Sequence, residues 1–466
     1  MRFRLPGVCA GYCVVVTAAL LHAAPCRAQS AAAPPLTSPL AIHVGDADLL
    51  IGGFLDATAV MRSTTTGNGV TTSFGTIPFT TTAAGAPNPA GHLSETRFSS
   101  QNSRVSLQAT STVGGASLKG YLEVDFLGNT ATNLNVTSNA NTLRMRLYWA
   151  QYTRGTFEFV AGQSWSFLTP NRNGLSPAPA DVFFSQNVDS NYQSGLTWAR
   201  QAGFRFIVHP SRTFSAGVAL ENPQQYVGSA VVLPASFPAS EVDTGAAAVG
   251  ASSGVPNPYP DIIGKVAFDP TTGKTHQHIE AAVLVRGYRT FNPSTSATHA
   301  ATGSGGSVNV ALEPVPNLRL IALNFFSSGG GRYIANENIP DVIINADHSP
   351  SPVKSWSTID GVEFTHRSSL VFGYYSVAHA DQLVGVDANG TTPIGFGLAN
   401  APSANHTVEE ATAGLTQTFF RDPKIGGLLL MLQYSRVRRT PFSVPAATPP
   451  NARTHMMFVC VRYLLP

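Results

Sequence analysis

The feature that most constrains this chain is a two-residue alternation of apolar and polar side chains, which recurs along its length. In LKGYLEVDFLG, which begins at residue 118, leucine, valine and phenylalanine alternate with lysine, glutamate and aspartate. Because successive side chains of a β-strand point to opposite faces, this stretch predicts a strand with one apolar and one charged face. A soluble sheet would bury the apolar face in a core. A membrane barrel would turn that face to lipid and the charged face to a water-filled lumen.

Sixteen such strands can be traced, each near the ~9–11 residues that a tilted strand needs to cross a bilayer. They are predicted at 49–61, 103–111, 117–127, 142–153, 156–166, 194–209, 213–222, 260–269, 275–290, 303–313, 317–327, 355–366, 368–378, 406–419, 426–438 and 454–465. The connections between them alternate strictly between long segments and short turns such as TVGGA, RG and HPSR. This asymmetry is typical of outer-membrane barrels. The sequence therefore predicts an all-β fold, a 16-stranded antiparallel transmembrane β-barrel with short periplasmic turns and long extracellular loops.

The beginning of the chain has the pattern of a secretory signal. Two arginines precede an apolar stretch of about 14 residues, and small residues lead to a predicted cleavage after Ala28. A retained membrane helix is excluded because this stretch is too short to span a bilayer. We therefore predict a signal peptide at 1–28, a proline- and alanine-rich periplasmic lead-in at 29–48, and the barrel at 49–466.

Composition excludes several other classes of protein. Removal of the signal leaves Cys460 alone of four cysteines, which excludes an internal disulfide and a multi-cysteine zinc site. It also removes three of the 29 basic residues, and the remaining 26 equal the 26 acidic residues, so bulk attraction to nucleic acid is not expected. Charged residues make up 12% of the chain, against ~25% in a usual soluble domain. No cofactor is predicted.

Six stretches, taken in order, resemble motifs of the DcaP-like outer-membrane porins. They are ETRFSSQNSRVSLQATS (95–111), LKGYLEVDFLG (118–128), LRMRLYWAQY (143–152), AGQSWS (161–166), ALENPQ (219–224) and GGGRYI (329–334). The resemblance implies a non-enzymatic, homotrimeric diffusion channel in the outer membrane of a Gram-negative bacterium, with outer-membrane lipid around it. It also implies small hydrophilic solutes, since some members take dicarboxylates or other small organic anions. The family type carries a helical N-terminal extension that forms a coiled coil, and 29–48 is too short and too rich in proline for one.

Residues that would set the selectivity of such a channel can be named. The connection 167–193 is predicted to fold into the barrel and constrict it, with charges at Arg172, Asp181 and Asp189. The wall residues predicted to face it by their position in the alternation are Arg104, Arg144, Arg146, Arg205, Glu123 and Asp125. Rings of charged side chains set ion selectivity, and arginine binds carboxylates through two parallel hydrogen bonds. The alternative is that these groups pair only to stiffen the wall.

Other readings of the sequence have less support. An outer-membrane barrel enzyme of lipase or protease type remains an alternative, although there is no GxSxG elbow. A surface β-protein is a second alternative.

His276 and His278 lie on one strand face but lack a third metal ligand, so no metal site is predicted. Four aromatic residues are predicted to lie in interfacial girdles or a trimer contact: Tyr148, Trp149, Tyr152 and Trp165. The alternation shifts at Gln151, which predicts a β-bulge there.

Overall fold

The structure, a computed structural model, describes residues 38–66, 69–128, 141–182, 185–188, 192–245, 255–334 and 337–466. The predicted signal peptide at 1–28 and the predicted loop charge Asp189 lie outside these residues.

Sixteen strands form one closed antiparallel barrel within the described residues, as the sequence predicts. They are β1 (Ala47–Arg62), β2 (Arg104–Val113), β3 (Ala116–Asp125), β4 (Arg144–Arg154), β5 (Phe157–Trp165), β6 (Arg200–Val208), β7 (Phe214–Glu221), β8 (Asp261–Phe268), β9 (His278–Asn292), β10 (Ala297–Val315), β11 (Leu318–Ser328), β12 (Lys354–His366), β13 (Ser369–Ala380), β14 (Asn405–Asp422), β15 (Gly426–Pro441) and β16 (Ala452–Leu464). Two further strands join the same sheet beside β1: Ala41–Val44 and Glu95–Ser99.

The smaller elements lie in the connections. Short strands occupy Val231–Val232, Thr271–Thr272, Thr275–His276, Val342–Ile344, Pro350–Pro352, Leu383–Val386 and Pro393–Phe396. Single turns of 3₁₀-helix occupy Phe74–Thr76, Ala239–Glu241 and Gly331–Tyr333, and one α-helical turn occupies Pro89–His92. Among the described residues, no helix has the length and apolar character needed to cross a membrane.

The first and last strands close the barrel. Strand β1 pairs with β2 through its first half, where Ile51 lies opposite Leu107. The same strand pairs with β16 through its second half, where Ala57 lies opposite Val461. Closure leaves no open sheet edge, so every strand finds backbone partners on both sides.

Burial in the barrel is the reverse of that in a soluble sheet. In β9, the outward-facing side chains Ile279, Val283 and Val285 are 40%, 63% and 41% exposed. The inward-facing side chains of the same strand include Glu280 and Arg286, which are 1% and 0% exposed. An exposed apolar surface of this kind is stable when lipid covers it. The barrel is therefore of the transmembrane type, as the alternation predicts.

The predicted position of the bulge is wrong. Strand β4 pairs regularly with β5 on both sides of Gln151. The register shift lies instead between β3 and β4, where Glu123 is opposite Leu147 and the next residue, Val124, is opposite Met145. The extra residue in β4 is Arg146, and such an insertion changes which way the neighbouring side chains point. As a result, both Arg146 and Leu147 are buried, at 2% and 0% exposure.

Candidate functional site

The described parts of the connection between β5 and β6, residues 166–182, 185–188 and 192–199, lie within the barrel. Their backbone N–H groups at Asn171 and Ser194 donate to Glu280 Oε2 of β9 and Glu410 Oε2 of β14, over 3.1 and 2.7 Å. A third N–H, at Val188, donates to Gln433 Oε1 of β15 over 2.6 Å. These acceptors are all buried residues of the barrel wall. They belong to strands remote from β5 and β6 in the barrel order, so the connection must pass through the lumen to reach them.

Three of the predicted wall residues form a row across adjacent strands. Arg104 of β2 lies opposite Asp125 of β3, and Asp125 lies opposite Arg144 of β4. Directly opposed residues on one face of a sheet have Cβ atoms about 5 Å apart, close enough for oppositely charged side chains to pair. The register therefore fixes an acid between two arginines on the inner wall.

Asp125 and Glu123 bind two arginines of β4. Arg144 donates to both carboxylate oxygens of Asp125, from Nε over 3.0 Å and from Nη2 over 2.6 Å. Arg146 donates from Nη1 to Asp125 over 2.7 Å and from Nε to Glu123 over 2.6 Å. Tyr121 donates its hydroxyl hydrogen to the second oxygen of Glu123 over 3.0 Å. Charge-assisted hydrogen bonds of this number hold the guanidinium groups in fixed orientations.

These side chains border a cavity of about 300 Å³, which we call the arginine cavity. Its lining residues are Thr71, Thr72, Ser73, Asn102, Arg104, Asp125, Leu127, Arg144, Arg146, Tyr192, Trp198 and Arg200. Four arginines and one aspartate line it directly, and Glu123 binds Arg146 from behind. Counting all six groups, four positive and two negative charges leave a net charge of +2.

Two donors in this cavity are left without a partner. Arg146 Nη2 and Arg200 Nη1 are buried and make no hydrogen bond within the described part of the chain. An unsatisfied buried donor costs free energy, and a bound acceptor would remove that cost. Both guanidinium groups also lie near the Trp165 ring, with their central carbons 5.7 and 5.9 Å from its centroid.

The structure brings five of the eight predicted site residues together and places three elsewhere. Arg104, Glu123, Asp125, Arg144 and Arg146 form the group just described. Arg205 lies over the ring of Phe167, 5.1 Å from its centroid. Arg172 faces Glu363 of β12 at 3.7 Å. The remaining predicted residue, Asp181, accepts a backbone hydrogen bond from Arg172 within the same connection.

The environment of the two loop charges differs from that of the wall. Burial lowers the pKa of Arg172, an effect that the Glu363 carboxylate opposes. Burial likewise raises the pKa of Asp181, although Ser176 donates a hydrogen bond to it. Both shifts disfavour the charged form, because each group has left water for the protein interior.

The sequence analysis predicted four of the twelve residues that line the arginine cavity and misplaced two tryptophans. By its position in the two-residue alternation, Arg200 belongs to the outward face of β6. It lines the cavity because it is the first residue of that strand, where the chain emerges from the interior connection. Tyr192 and Trp198 belong to that connection and were not predicted at the site. Trp149 and Trp165 do not lie in an exposed girdle, since they are 4% and 2% exposed.

Two carboxyl side chains, those of Glu337 and Glu410, hold the interior connection in place beside the arginine cavity. Ser194 donates from Oγ to Glu337 Oε1 over 2.5 Å, and from its backbone N–H to Glu410 Oε2 over 2.7 Å. Glu337 lies in the connection that follows β11. Burial and the nearby Glu410 carboxyl raise the pKa of Glu337 to about 8. Glu337 is therefore mostly protonated at neutral pH.

The histidines considered as metal ligands have other partners. His278 is hydrogen-bonded through Nδ1 to Asp269 over 2.7 Å and through Nε2 to Glu280 over 3.1 Å. Within the described ranges, no group of three histidine, cysteine or acidic side chains is placed to hold a metal ion.

Comparison with solved structures identifies the fold. The outer membrane channel DcaP of Acinetobacter baumannii superposes with a TM-score of 0.61 and 17% sequence identity, covering 90% of this chain and 97% of the channel. The trimer form of OmpT from Vibrio cholerae gives a TM-score of 0.47 at 9% identity, covering 90% and 99%. An anion-selective porin from Comamonas acidovorans gives 0.45 at 12% identity, covering 90% and 99%. The last two superpose more loosely and add nothing to what the DcaP channel shows.

No protein-family model and no curated protein matches the chain. The resemblance that the six sequence motifs indicate is nevertheless confirmed at the level of the fold. The closed barrel and its exposed apolar surface agree with the predicted location in the outer membrane. This chain has the fold of the outer-membrane channel DcaP.

Proposed function

We propose that the protein is a passive outer-membrane channel for small hydrophilic solutes and that it favours small organic anions, dicarboxylates among them. The observation that carries this proposal is the arginine cavity. Its net charge of +2 lies on the inner wall, and two of its buried guanidinium N–H groups have no partner in the described residues. A carboxylate could accept hydrogen bonds from these groups.

The two carboxylates of the wall have a role in this arrangement. Asp125 and Glu123 use the Nε and one Nη nitrogen of their arginines, which holds the guanidinium planes in place. Arg200 has no salt bridge to a carboxylate in the described part of the barrel, so its charge is available to a passing solute. A solute with two carboxylates could contact Arg146 and Arg200 together. This geometry supports a preference for dicarboxylates.

The interior connection supports a constriction at the same level. Tyr192, Trp198 and Arg200 line the arginine cavity, and Ser194 of the same segment is anchored to Glu410 of the opposite wall. A solute that follows the lumen at this level passes close to the arginines. We also propose that three copies assemble, as the resemblance to the porin family implies.

Uptake into proteoliposomes tests the proposed function. The entry of labelled succinate would be compared with that of succinamide, which has nearly the same shape and no charge. We expect wild-type protein to admit succinate several-fold faster, because the arginine cavity attracts its carboxylates. The Arg200→Ala variant should lose most of this preference.

Arg319→Ala is the matched control. It removes the same charge from a partly buried arginine that pairs with Glu313 and Glu363, away from the cavity. This variant should keep the preference for succinate. Equal entry of succinate and succinamide through wild-type protein would overturn the anion preference. Failure of both solutes to enter would overturn the channel itself.

A further inference from the structure

A second cavity, of about 380 Å³, lies beside the first and has a different lining. We call it the amide cavity because four of its side chains are glutamine or asparagine residues at the ends of strands and in connections. Its lining residues are Gln201, Asn222, Gln224, Tyr226, Asp243, Gly331, Arg332, Ile334, Asn338 and Ile339. They come from β6 and from the connections that follow β7 and β11. The cavity is large enough for a solute several times the size of a water molecule.

The lining of the amide cavity itself carries no net charge. Arg332 and Asp243 are its charged side chains, and they cancel. Behind them, Arg332 binds Asp261 over 2.7 Å, and Arg286 binds Asp261 and Asp341 over 3.0 and 2.8 Å. With Arg332 counted once, the lining and this second group together hold two positive and three negative charges, a net charge of −1. An anion would therefore gain little here from net electrostatic attraction.

Several polar groups of the lining have no partner in the protein. The side-chain amides of Gln201 and Asn222 make no hydrogen bond within the described residues. Arg332 Nε is buried and likewise has no partner there. By contrast, Gln224 is held in place, since its Nε2 donates to Asp243 Oδ2 over 2.8 Å. The lining thus combines fixed groups with free donors and acceptors.

A lining with both fixed and unpaired polar groups can bind hydroxyl groups. A hydroxyl both donates and accepts, and a side-chain amide offers two donors and an acceptor to match it. Tyr226 adds an aromatic side chain on which the apolar C–H face of a sugar ring could pack. A carboxylate only accepts and would leave the amide oxygens and Asp243 unmatched.

We infer that the amide cavity is a binding site for an uncharged polyhydroxylated solute, a sugar or polyol of about monosaccharide size. The inference goes beyond the proposed anion preference and does not depend on it, because the two cavities use different side chains. It assigns to this chain a second solute class that the arginine cavity would not select.

Binding can be measured without transport, using purified protein in detergent and D-glucose as the probe. Saturation-transfer NMR should show glucose contacting the wild-type protein. Tetraethylene glycol, which has a similar mass but few hydroxyls, should bind much more weakly. The double variant Gln201→Ala, Asn222→Ala should weaken glucose binding roughly tenfold, because each lost hydrogen bond lowers affinity about threefold.

The two substituted side chains make no hydrogen bonds in the described structure, so the variant should fold normally. Asn389→Ala is the matched control: Asn389 is exposed in a connection away from the cavity, and glucose binding should not change. No glucose contact in the wild type, or equal binding in the double variant, would overturn the inference. Glucose binding by a protein that does not conduct would keep the inference and overturn the proposed channel function.

Discussion

The arginine cavity and the amide cavity share one short segment, yet they differ in charge. Trp198 and Arg200 line the first, whereas Gln201 lines the second. The arginine cavity has a net charge of +2 when Glu123 is counted, and the lining of the amide cavity has none. Side chains one residue apart thus enter two environments. The comparison shows how one barrel could admit anions and neutral solutes by separate contacts.

The two cavities also differ in how their side chains are fixed. In the arginine cavity, carboxylates bind the arginines in charge-assisted pairs. In the amide cavity, the lining residue Arg332 pairs with Asp261 behind it, and the side-chain amides of Gln201 and Asn222 make no hydrogen bond within the described residues. Substitutions should therefore affect ion selectivity and stability at the first cavity, and mainly solute affinity at the second.

Reversing the charge of the arginine cavity should have the largest effect. In a variant with Arg104→Glu and Arg200→Glu, four units of positive charge are lost, and the net charge changes from +2 to −2. The preference for chloride over potassium should then invert, because local charge controls ion access. Reversal potentials in a salt gradient across a planar bilayer measure this. Retained chloride preference in a folded variant would show that these arginines do not select ions.

The substitution Asp125→Asn should destabilise the barrel. The Asp125 side chain is 1% exposed and binds both Arg144 and Arg146. Breaking a buried ion pair leaves charges uncompensated and costs about 3–5 kcal/mol. On a gel, the variant should lose its heat-modifiable migration at a lower temperature than the wild-type protein does. Asp381→Asn, at an exposed aspartate paired with His379, should shift that temperature little.

The contact between Ser194 and Glu337, which anchors the interior connection, should weaken at alkaline pH. The pKa of Glu337 is raised from its ordinary value to about 8, so the folded state holds a proton that the unfolded state releases. This contribution to stability is complete below about pH 4.5 and is lost as pH rises through about 8. Thermal unfolding of wild-type protein should therefore occur at lower temperature at pH 9 than at pH 6.

Glu337→Gln is the informative variant for this prediction, because it keeps a neutral side chain of the same size. Its unfolding temperature should change less between pH 6 and pH 9 than that of the wild type. The same pH dependence in both proteins would assign the effect to other groups.

A charge added to the amide cavity should have the smallest effect. Asn222 is exposed, and salt screens an exposed charge within about 10 Å at 0.1 M. Asn222→Asp should shift the reversal potential toward cations by only a few millivolts, while weakening glucose binding. A shift as large as that caused by Arg200→Ala would mean that the two cavities are not electrostatically separate.

The two-residue alternation was enough to predict much of the barrel and part of the arginine cavity. Neighbouring strands are adjacent both in the chain and in space, so their alternation places Arg104, Asp125 and Arg144 in one row. The two-residue period fails where a strand begins or bulges, which is why Arg200 was missed and the bulge was misplaced. Arg172 of the connection and Arg205 of the wall were predicted beside this row because local alternation cannot show the path of the interior connection.

The amide cavity gave no sequence signal. Its residues come from β6, from the connection that follows β7 and from the connection that follows β11, and glutamine and asparagine are ordinary residues in loops. Gln201, Asn222 and Arg332 converge only because the closed sheet brings the ends of distant strands together. Such a site requires the three-dimensional structure.

The central claim is that a net positive cavity governs ion passage through this barrel. It is tested most directly by the reversal potential of the purified wild-type protein in a potassium chloride gradient across a planar bilayer. A potential displaced toward that of chloride is the predicted result. A potential displaced toward that of potassium would contradict the claim.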